Sequence, residues 1–270
     1  MTYAAELAIA QDAARRAGQI LLRYRERGTR YGWKPSTRDG FRNYEVVSEA
    51  DVEVDSALRE TLLGAFPDDG WLSEEQRDDP HGDCGRLKRE RVWIVDPLDG
   101  TREFLQGIPE YAVSIALAVG GRAELGVVYN PANDELFAAA PGAANDGLRL
   151  DPATDLRDSF MLAGRGEWRF GDLPPVPDGT RLMPVGSIAY RMALLASGSG
   201  CLIFTVGRRR EWDVAAGAAL LQAAGATVTD VHGEPLRFNQ PNTEIDGLIA
   251  ARANIHTEAR SMWEVSGWRI

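Results

Sequence analysis

Long apolar runs are the first thing this chain lacks. Its longest such stretch, around Tyr111 to Val119, falls far short of the about 20 residues that a membrane-spanning helix needs. Lysine is nearly missing: of 30 basic side chains only Lys34 and Lys88 are lysines. Acidic residues number 40 and the net charge is −10, a poor balance for gripping a nucleic-acid polymer or an anionic membrane. Cysteine is reduced to Cys84 and Cys201, too few for a disulfide framework, so a reduced cytoplasmic protein is expected. His81, His232 and His256 show no ligand spacing. No nucleophilic cysteine motif, Ser-His-Asp arrangement or Walker phosphate loop is present. The N-terminus carries Glu6 inside its apolar pattern, unlike a signal peptide. What remains is a 270-residue chain, 44% hydrophobic and 26% charged, composed like a soluble globular protein of one large domain or two joined halves.

The chemistry is concentrated between Val92 and Phe104. Val92-Trp93-Ile94-Val95 reads as a short buried strand. It is expected to end on Asp96, because Pro97 forbids helix and holds the residue before it extended. The chain then turns, which brings Asp99 back beside Asp96. Gly100 permits a tight turn, and Thr101 starts a helix with open N–H groups. Two carboxylates and the Leu98 carbonyl are hard oxygen donors suited to a divalent cation, and a helix N-terminus favours an anion such as phosphate. Asp-Pro and Asp-Gly are also ordinary turn dipeptides, so this stretch alone leaves both readings open.

Around it, residues 3–25 carry Leu7, Ala10, Ala14, Ala17 and Leu21 on one helical face. Residues 26–45 read as a loop or loose hairpin, either an active-site flap or a plain connection. Ser48 with Asp51 marks a helix N-cap, the helix running through Leu62 and Leu63. Trp71-Leu72-Ser73-Glu74-Glu75 reads as a strand that sends Glu74 inward and Glu75 outward. Strands over Tyr111–Val119, Ala123–Tyr129 and Glu135–Ala140 build a first sheet, and residues 141–160 and 171–180 read as loops. The chain therefore divides into residues 1–150 and 151–270. The second half alternates strands and helices: Arg181–Val185, Ile188–Ala196, Leu202–Val206, an apolar helix from Trp212-Asp213 to Gly225, two further strands, and a last helix from Asn254. Ser187 and Asp213 both stand at helix starts, as simple caps or as site residues.

Three elements together carry a family resemblance. Asp96-Pro97-Leu98-Asp99-Gly100-Thr101 resembles the first signature of the inositol monophosphatase superfamily. Trp212-Asp213-Val214-Ala215-Ala216-Gly217 resembles its second, and Ser73-Glu74-Glu75 its upstream acidic pair, with serine where the family generally has glycine. The resemblance spans about Asp51 to Ala250. It implies an α+β fold, a layered α-β-α-β-α sandwich with mixed sheets. It also implies a Mg2+-dependent, commonly lithium-sensitive phosphatase using two or three ions. By that resemblance Glu74, Asp96 and the Leu98 carbonyl hold one Mg2+, while Asp96, Asp99 and Asp213 hold another. Glu74, Thr101 and Asp51 serve the attacking water, although Asp51 also reads as a plain helix-dipole partner. Gly100, Thr101, Ser187, Arg209 and Asp213 meet the substrate.

Several features resemble the 3′(2′),5′-bisphosphate nucleotidase (CysQ-like) branch. They are Thr101-Arg102-Glu103-Phe104, the six-residue spacing from Gly207 to Asp213, Thr205 where inositol enzymes carry glutamate, and Pro235-Leu236-Arg237-Phe238-Asn239. Cys201, where relatives often have aspartate, departs from the pattern. The implied reaction removes the 3′-phosphate of 3′-phosphoadenosine 5′-phosphate, a by-product of sulfate assimilation. An inositol or sugar monophosphatase is the alternative, and a regulatory binding protein a third. Arg208-Arg209-Arg210 either meets a second phosphate or forms a solvated basic loop. The expected partners are a small phosphorylated substrate, with no nucleic-acid polymer and no membrane; relatives include monomers and dimers, which leaves a homodimer open.

Overall fold

In the computed structural model, residues 2–36, 43–76, 85–143, 147–174 and 176–266 are described; His81 and Cys84 lie outside them. The amphipathic N-terminal segment forms α1 (Ala4–Arg27), which starts one residue later and ends two residues later than its pattern implies. The stretch read as a loop or loose hairpin contains two paired antiparallel strands, β1 (Tyr31–Ser36) and β2 (Asn43–Ser48). Helix α2 (Glu49–Ala65) starts as expected: Asp51 Oδ2 accepts from the Ser48 N–H at 2.8 Å and its hydroxyl at 2.5 Å.

The first sheet holds β3 (Gly70–Ser73), β4 (Arg91–Asp99), β5 (Ala112–Val119), β6 (Arg122–Asn130) and β7 (Glu135–Ala139) in that order. The β3–β4 pair is parallel and the others antiparallel. Alternation along β5 explains what covers each face. Val113, Ile115 and Leu117 pack with α1 and α2, whereas Ala112, Ala116 and Ala118 face the opposite way.

The second half begins with two elements that carry no expectation from sequence, β8 (Phe160–Gly164) and α4 (Arg165–Phe170). It continues through β9 (Arg181–Val185), α5 (Ile188–Ala196), β10 (Leu202–Thr205), β11 (Arg209–Arg210), α6 (Glu211–Ala223), β12 (Thr227–Thr229), β13 (Glu244–Ile245), β14 (Leu248–Ala251) and α7 (Ala253–Ser266). Strands β12-β14-β10-β8-β9 form a second mixed sheet, and β11 pairs with β13. Helices α5 and α6 lie between the two sheets, α1 and α2 cover the outside of the first, and α7 the outside of the second. Five layers result, an α-β-α-β-α sandwich of mixed sheets, as the motifs imply. Among the described residues no helix is long and apolar enough to cross a membrane.

Close approach of α6 to the first sheet depends on small residues on both sides. A Cβ on Gly126 would overlap the Ala216 carbonyl oxygen and stand 3.0 Å from Ala219 Cβ. Because α6 carries Asp213, this contact also sets the distance between Asp213 and the strand ends. Gly126→Ala is expected to lower stability by about 1–3 kcal/mol, a typical cost of overpacking. An unchanged urea midpoint would contradict this.

Candidate active site

The strand that carries the first two acids does not stop where Pro97 implied. β4 runs on to Asp99, and the correction lies in its register: Asp96 pairs with Ser114, but Asp99 pairs with Ala112. Three steps on β4 oppose two on β5, so one extra residue is inserted as a bulge. Proline has no N–H for the ladder, and a bulge is where a strand tolerates it. The extra residue reverses the alternation. Trp93 and Val95 face the α1–α2 layer; beyond the bulge Leu98 faces it too, which returns Asp99 to the side of Asp96. In a regular strand Asp96 and Asp99 would point to opposite faces.

The other acids arrive from neighbouring elements. Ser73 is in register with Val95, so Glu74 follows on β3 beside Asp96, with its N–H donating to the Val95 carbonyl at 3.3 Å. Asp213 is the third residue of α6, and its Oδ2 accepts the Arg210 N–H at 2.9 Å. Glu74, Asp96, Asp99 and Asp213 line one cavity of about 280 Å³ together with Leu98, Gly100 and Thr101.

Electrostatics registers this convergence. Burial raises the Asp96 carboxyl well above the usual carboxylate range, and the charges of Glu74, Asp99 and Asp213 add to the effect. Burial and then Asp213 push Asp99 up to about 6, against hydrogen bonds from Ser187 and Ala189 that lower it. Among the described residues no three acid, histidine or cysteine side chains are drawn close enough to form a metal shell as they stand. Like charges repel, and their oxygens are taken locally: Asp96 Oδ1 by the Leu98 N–H at 2.9 Å, Asp99 Oδ2 by the Ser187 hydroxyl at 2.5 Å and the Ala189 N–H at 2.6 Å. The donors are nonetheless hard carboxylate and carbonyl oxygens, the set a divalent magnesium ion prefers.

The remaining expected residues divide. Thr101 lines the cavity, with its hydroxyl 3.1 Å from the Leu98 carbonyl and 3.2 Å from Asp51 Oδ1. Asp51 is buried behind Thr101 and is not among the lining residues. Ser187 caps α5 through the Tyr190 N–H and spends its hydroxyl on Asp99, so it too stands behind the wall. Gly100 precedes the short helix α3 (Thr101–Gln106) at φ +93. A side chain there would be strained and would meet the Glu110 carbonyl at 2.9 Å and Tyr111 Cα at 3.2 Å. Gly100→Ala is expected to cost about 1–3 kcal/mol and to shift Thr101, lowering turnover and stability together. Full activity in that variant would contradict the tight turn.

The same cavity is also lined by Arg102, Arg165, Arg191, Arg209 and Arg210, an arginine wall that includes Glu103 and Glu167. Of the three-arginine run, Arg208 pairs with Glu244 and Asp246, and Arg210 with Glu244 at 3.0 Å. Sequence reasoning missed Glu167, Arg165 and Arg191. The signal for Glu167 was its position three residues after Gly164, where its carboxylate accepts the Gly164 N–H at 2.8 Å and starts α4. Arg191 sits inside an apolar helix pattern that gives no hint of it. Glu211 is another: wholly buried, it accepts the N–H groups of Asn239 at 2.5 Å and Gln240 at 2.8 Å, tying the loop after Phe238 to the start of α6.

A cavity lined by both carboxylates and arginines suits a cation bound together with a phosphorylated ligand. Comparison with known proteins agrees. The profile of the Inositol monophosphatase family matches residues 3–265, and members of that family are metal-dependent phosphatases, typically with Mg2+. The chain is 32% identical over 240 residues to the Nus factor SuhB of Pasteurella multocida, covering 84% of this chain and 85% of that protein. It is 33% identical over 231 residues to the 3′(2′),5′-bisphosphate nucleotidase CysQ of Shigella flexneri, covering 83% and 90%. Among solved structures, the extragenic suppressor protein suhB of Bartonella henselae superposes with a TM-score of 0.76 at 28% identity, covering 97% of this chain and 99% of that one.

Proposed function

The chain belongs to the inositol monophosphatase family, and on that premise we propose that it is a Mg2+-dependent phosphatase removing the 3′-phosphate of 3′-phosphoadenosine 5′-phosphate to leave AMP. One observation carries the reading: four carboxylates, Glu74, Asp96, Asp99 and Asp213, line a single cavity together with five arginines. Residues 1–150 supply Glu74, Asp96 and Asp99, and residues 151–270 supply Asp213 and most of the arginines.

In this reading Glu74, Asp96 and the Leu98 carbonyl hold one Mg2+, and Asp96, Asp99 and Asp213 another. Bound Mg2+ supplies charge neutralisation for the phosphoryl group and a more acidic water. The protein does the rest by orientation. Asp51 takes the Thr101 hydroxyl hydrogen, which leaves the Thr101 oxygen as an acceptor for the attacking water, and Glu74 accepts from the same water. The backbone amides of Gly100 and Thr101 donate to phosphate oxygens. Arg209 meets the second phosphate, which an inositol monophosphate lacks.

Likeness to a SuhB as close as that to a CysQ supports a second reading, an inositol or sugar monophosphatase or a regulatory binding protein. Phosphate release with Mg2+, measured side by side on 3′-phosphoadenosine 5′-phosphate, inositol 1-phosphate and fructose 1,6-bisphosphate, separates these. The bisphosphate nucleotide is expected to be turned over at least about tenfold more efficiently, the discrimination of one charged contact. A tenfold preference for the inositol ester overturns the substrate assignment, and no release from any ester favours the binding protein.

A further inference from the structure

Glu167 stands in the arginine wall, on the first turn of α4, and its carboxylate is fully occupied. Oε1 accepts from the Thr205 hydroxyl and from Arg209 Nη2 at 2.5 Å, and Oε2 from the Gly164 N–H at 2.8 Å and Arg191 Nη1 at 3.2 Å. The cluster is nearly dry: side-chain exposure is 13% for Glu167 and Arg209 and 3% for Arg191. Burial alone would raise the Glu167 carboxyl, but Arg191 and Arg209 overcome it and hold the pKa down to about 2, so the charge persists at any working pH.

Two consequences follow from these contacts. A carboxylate already accepting four hydrogen bonds has no lone pair left for a ligand hydroxyl. Two guanidinium groups share one carboxylate, so the three side chains carry an excess positive charge. Arg209 Nη2 also donates to Thr205 Oγ1 and its Nη1 to the Arg208 carbonyl at 3.3 Å, and the polar groups that Arg191 and Arg209 bring to the cavity lining are N–H donors. A polyol needs acceptors as well as donors at such a wall; a phosphate needs donors only.

Resting on the phosphatase reading, we propose that Glu167 is a positioning residue that determines specificity, holding Arg209 and Arg191 as a donor-only wall for a second phosphate on the substrate. It touches no reacting atom. Its effect passes through the guanidinium groups it orients, because a buried arginine without its carboxylate neither keeps its direction nor tolerates its charge cheaply.

The test uses AMP, which carries only the second phosphate, against adenosine, titrated calorimetrically into the full chain in a chelating buffer. Without cations the four carboxylates repel phosphate at the reaction site, and Arg209→Ala reports how much of any advantage of AMP over adenosine comes from the arginine wall. Wild type is expected to bind AMP at least about tenfold more tightly than adenosine, the range of a charge-assisted contact. Glu167→Gln, similar in size, is expected to lower AMP affinity about tenfold with little change for adenosine, and Arg209→Ala to erase the difference between the two ligands. Equal binding of AMP and adenosine to wild type overturns the proposal. So does a Glu167→Gln variant, folded by circular dichroism, that weakens both ligands alike, since a merely structural role has that signature. If Glu167→Gln does not fold, Arg209→Ala decides: an AMP preference that survives it overturns the proposal, and its loss upholds the wall. The titration involves no turnover, so its failure leaves the phosphatase reading standing, and failure of the ester panel leaves this result intact.

Discussion

Glu74→Gln is expected to lower Mg2+-dependent phosphate release about 10²–10⁴-fold, the range over which removal of a positioned proton-accepting group acts, with a much smaller change in KM. The substitution preserves size, so β3 and its pairing with β4 survive. What changes is one charge and one acceptor in the cavity, where the Glu74 charge is, after burial, the strongest influence raising Asp96. A glutamine amide would turn donor N–H groups toward a cation and a water hydrogen that both need an acceptor. Substrate is held mainly by Arg209 and the backbone amides in the proposed arrangement, hence the split between kcat and KM. Near-wild-type turnover in steady-state assays would show that Glu74 neither holds a cation nor orients water.

Asp96→Asn is expected to act in opposite directions on stability and activity. Asp96 is 1% exposed and faces three further carboxylates. Its folded pKa lies above the unfolded value, so the folded chain binds more protons, and the stability of the cation-free protein falls as pH rises through that interval. Asp99 adds the same sign between about 4, its unfolded range, and about 6. Asparagine removes the charge and keeps Oδ1 as acceptor for the Leu98 N–H. In chelator at pH 7 the variant should therefore be more stable than wild type by about 1–3 kcal/mol, or several degrees in Tm.

Saturating Mg2+ should reverse the order. A ligand at 100 times its Kd adds about 2.7 kcal/mol, which wild type gains and the variant largely forfeits together with its activity. Thermal melts with and without Mg2+ check both halves. An equal Mg2+ shift in the two proteins, or a less stable variant in chelator, would mean that Asp96 is not the shared ligand.

The donor types were legible without any structure. Acids at 74, 96, 99 and 213, each next to a strand end or helix start, depend only on local pattern and on the turn chemistry of Pro97 and Gly100. The strands of the first sheet over Tyr111–Val119, Ala123–Tyr129 and Glu135–Ala140 were legible as well, to within a residue at their ends. Strands and helices of the second half from Arg181 to Ala196 follow their sequence pattern to the residue, because propensity, caps and burial agree there. Segment 160–170 escaped because five strand residues and six helical ones are too short for a period to show.

By itself, then, the sequence determined which oxygens are available and on which elements they ride. The tertiary structure decided how they reach one cavity; the return of Asp99 beside Asp96 was expected, but through a turn and not within a continuing strand. A one-residue bulge, visible only through pairing with β5, turns Asp99 to the side of Asp96. Glu167, Arg191, Thr205 and Arg209 come from four separate segments, and they meet only because α5 and α6 are held between two sheets. The physical reason is range: capping and alternation act between residues a few positions apart, whereas register and the meeting of buried charges depend on contacts between elements that local pattern does not encode.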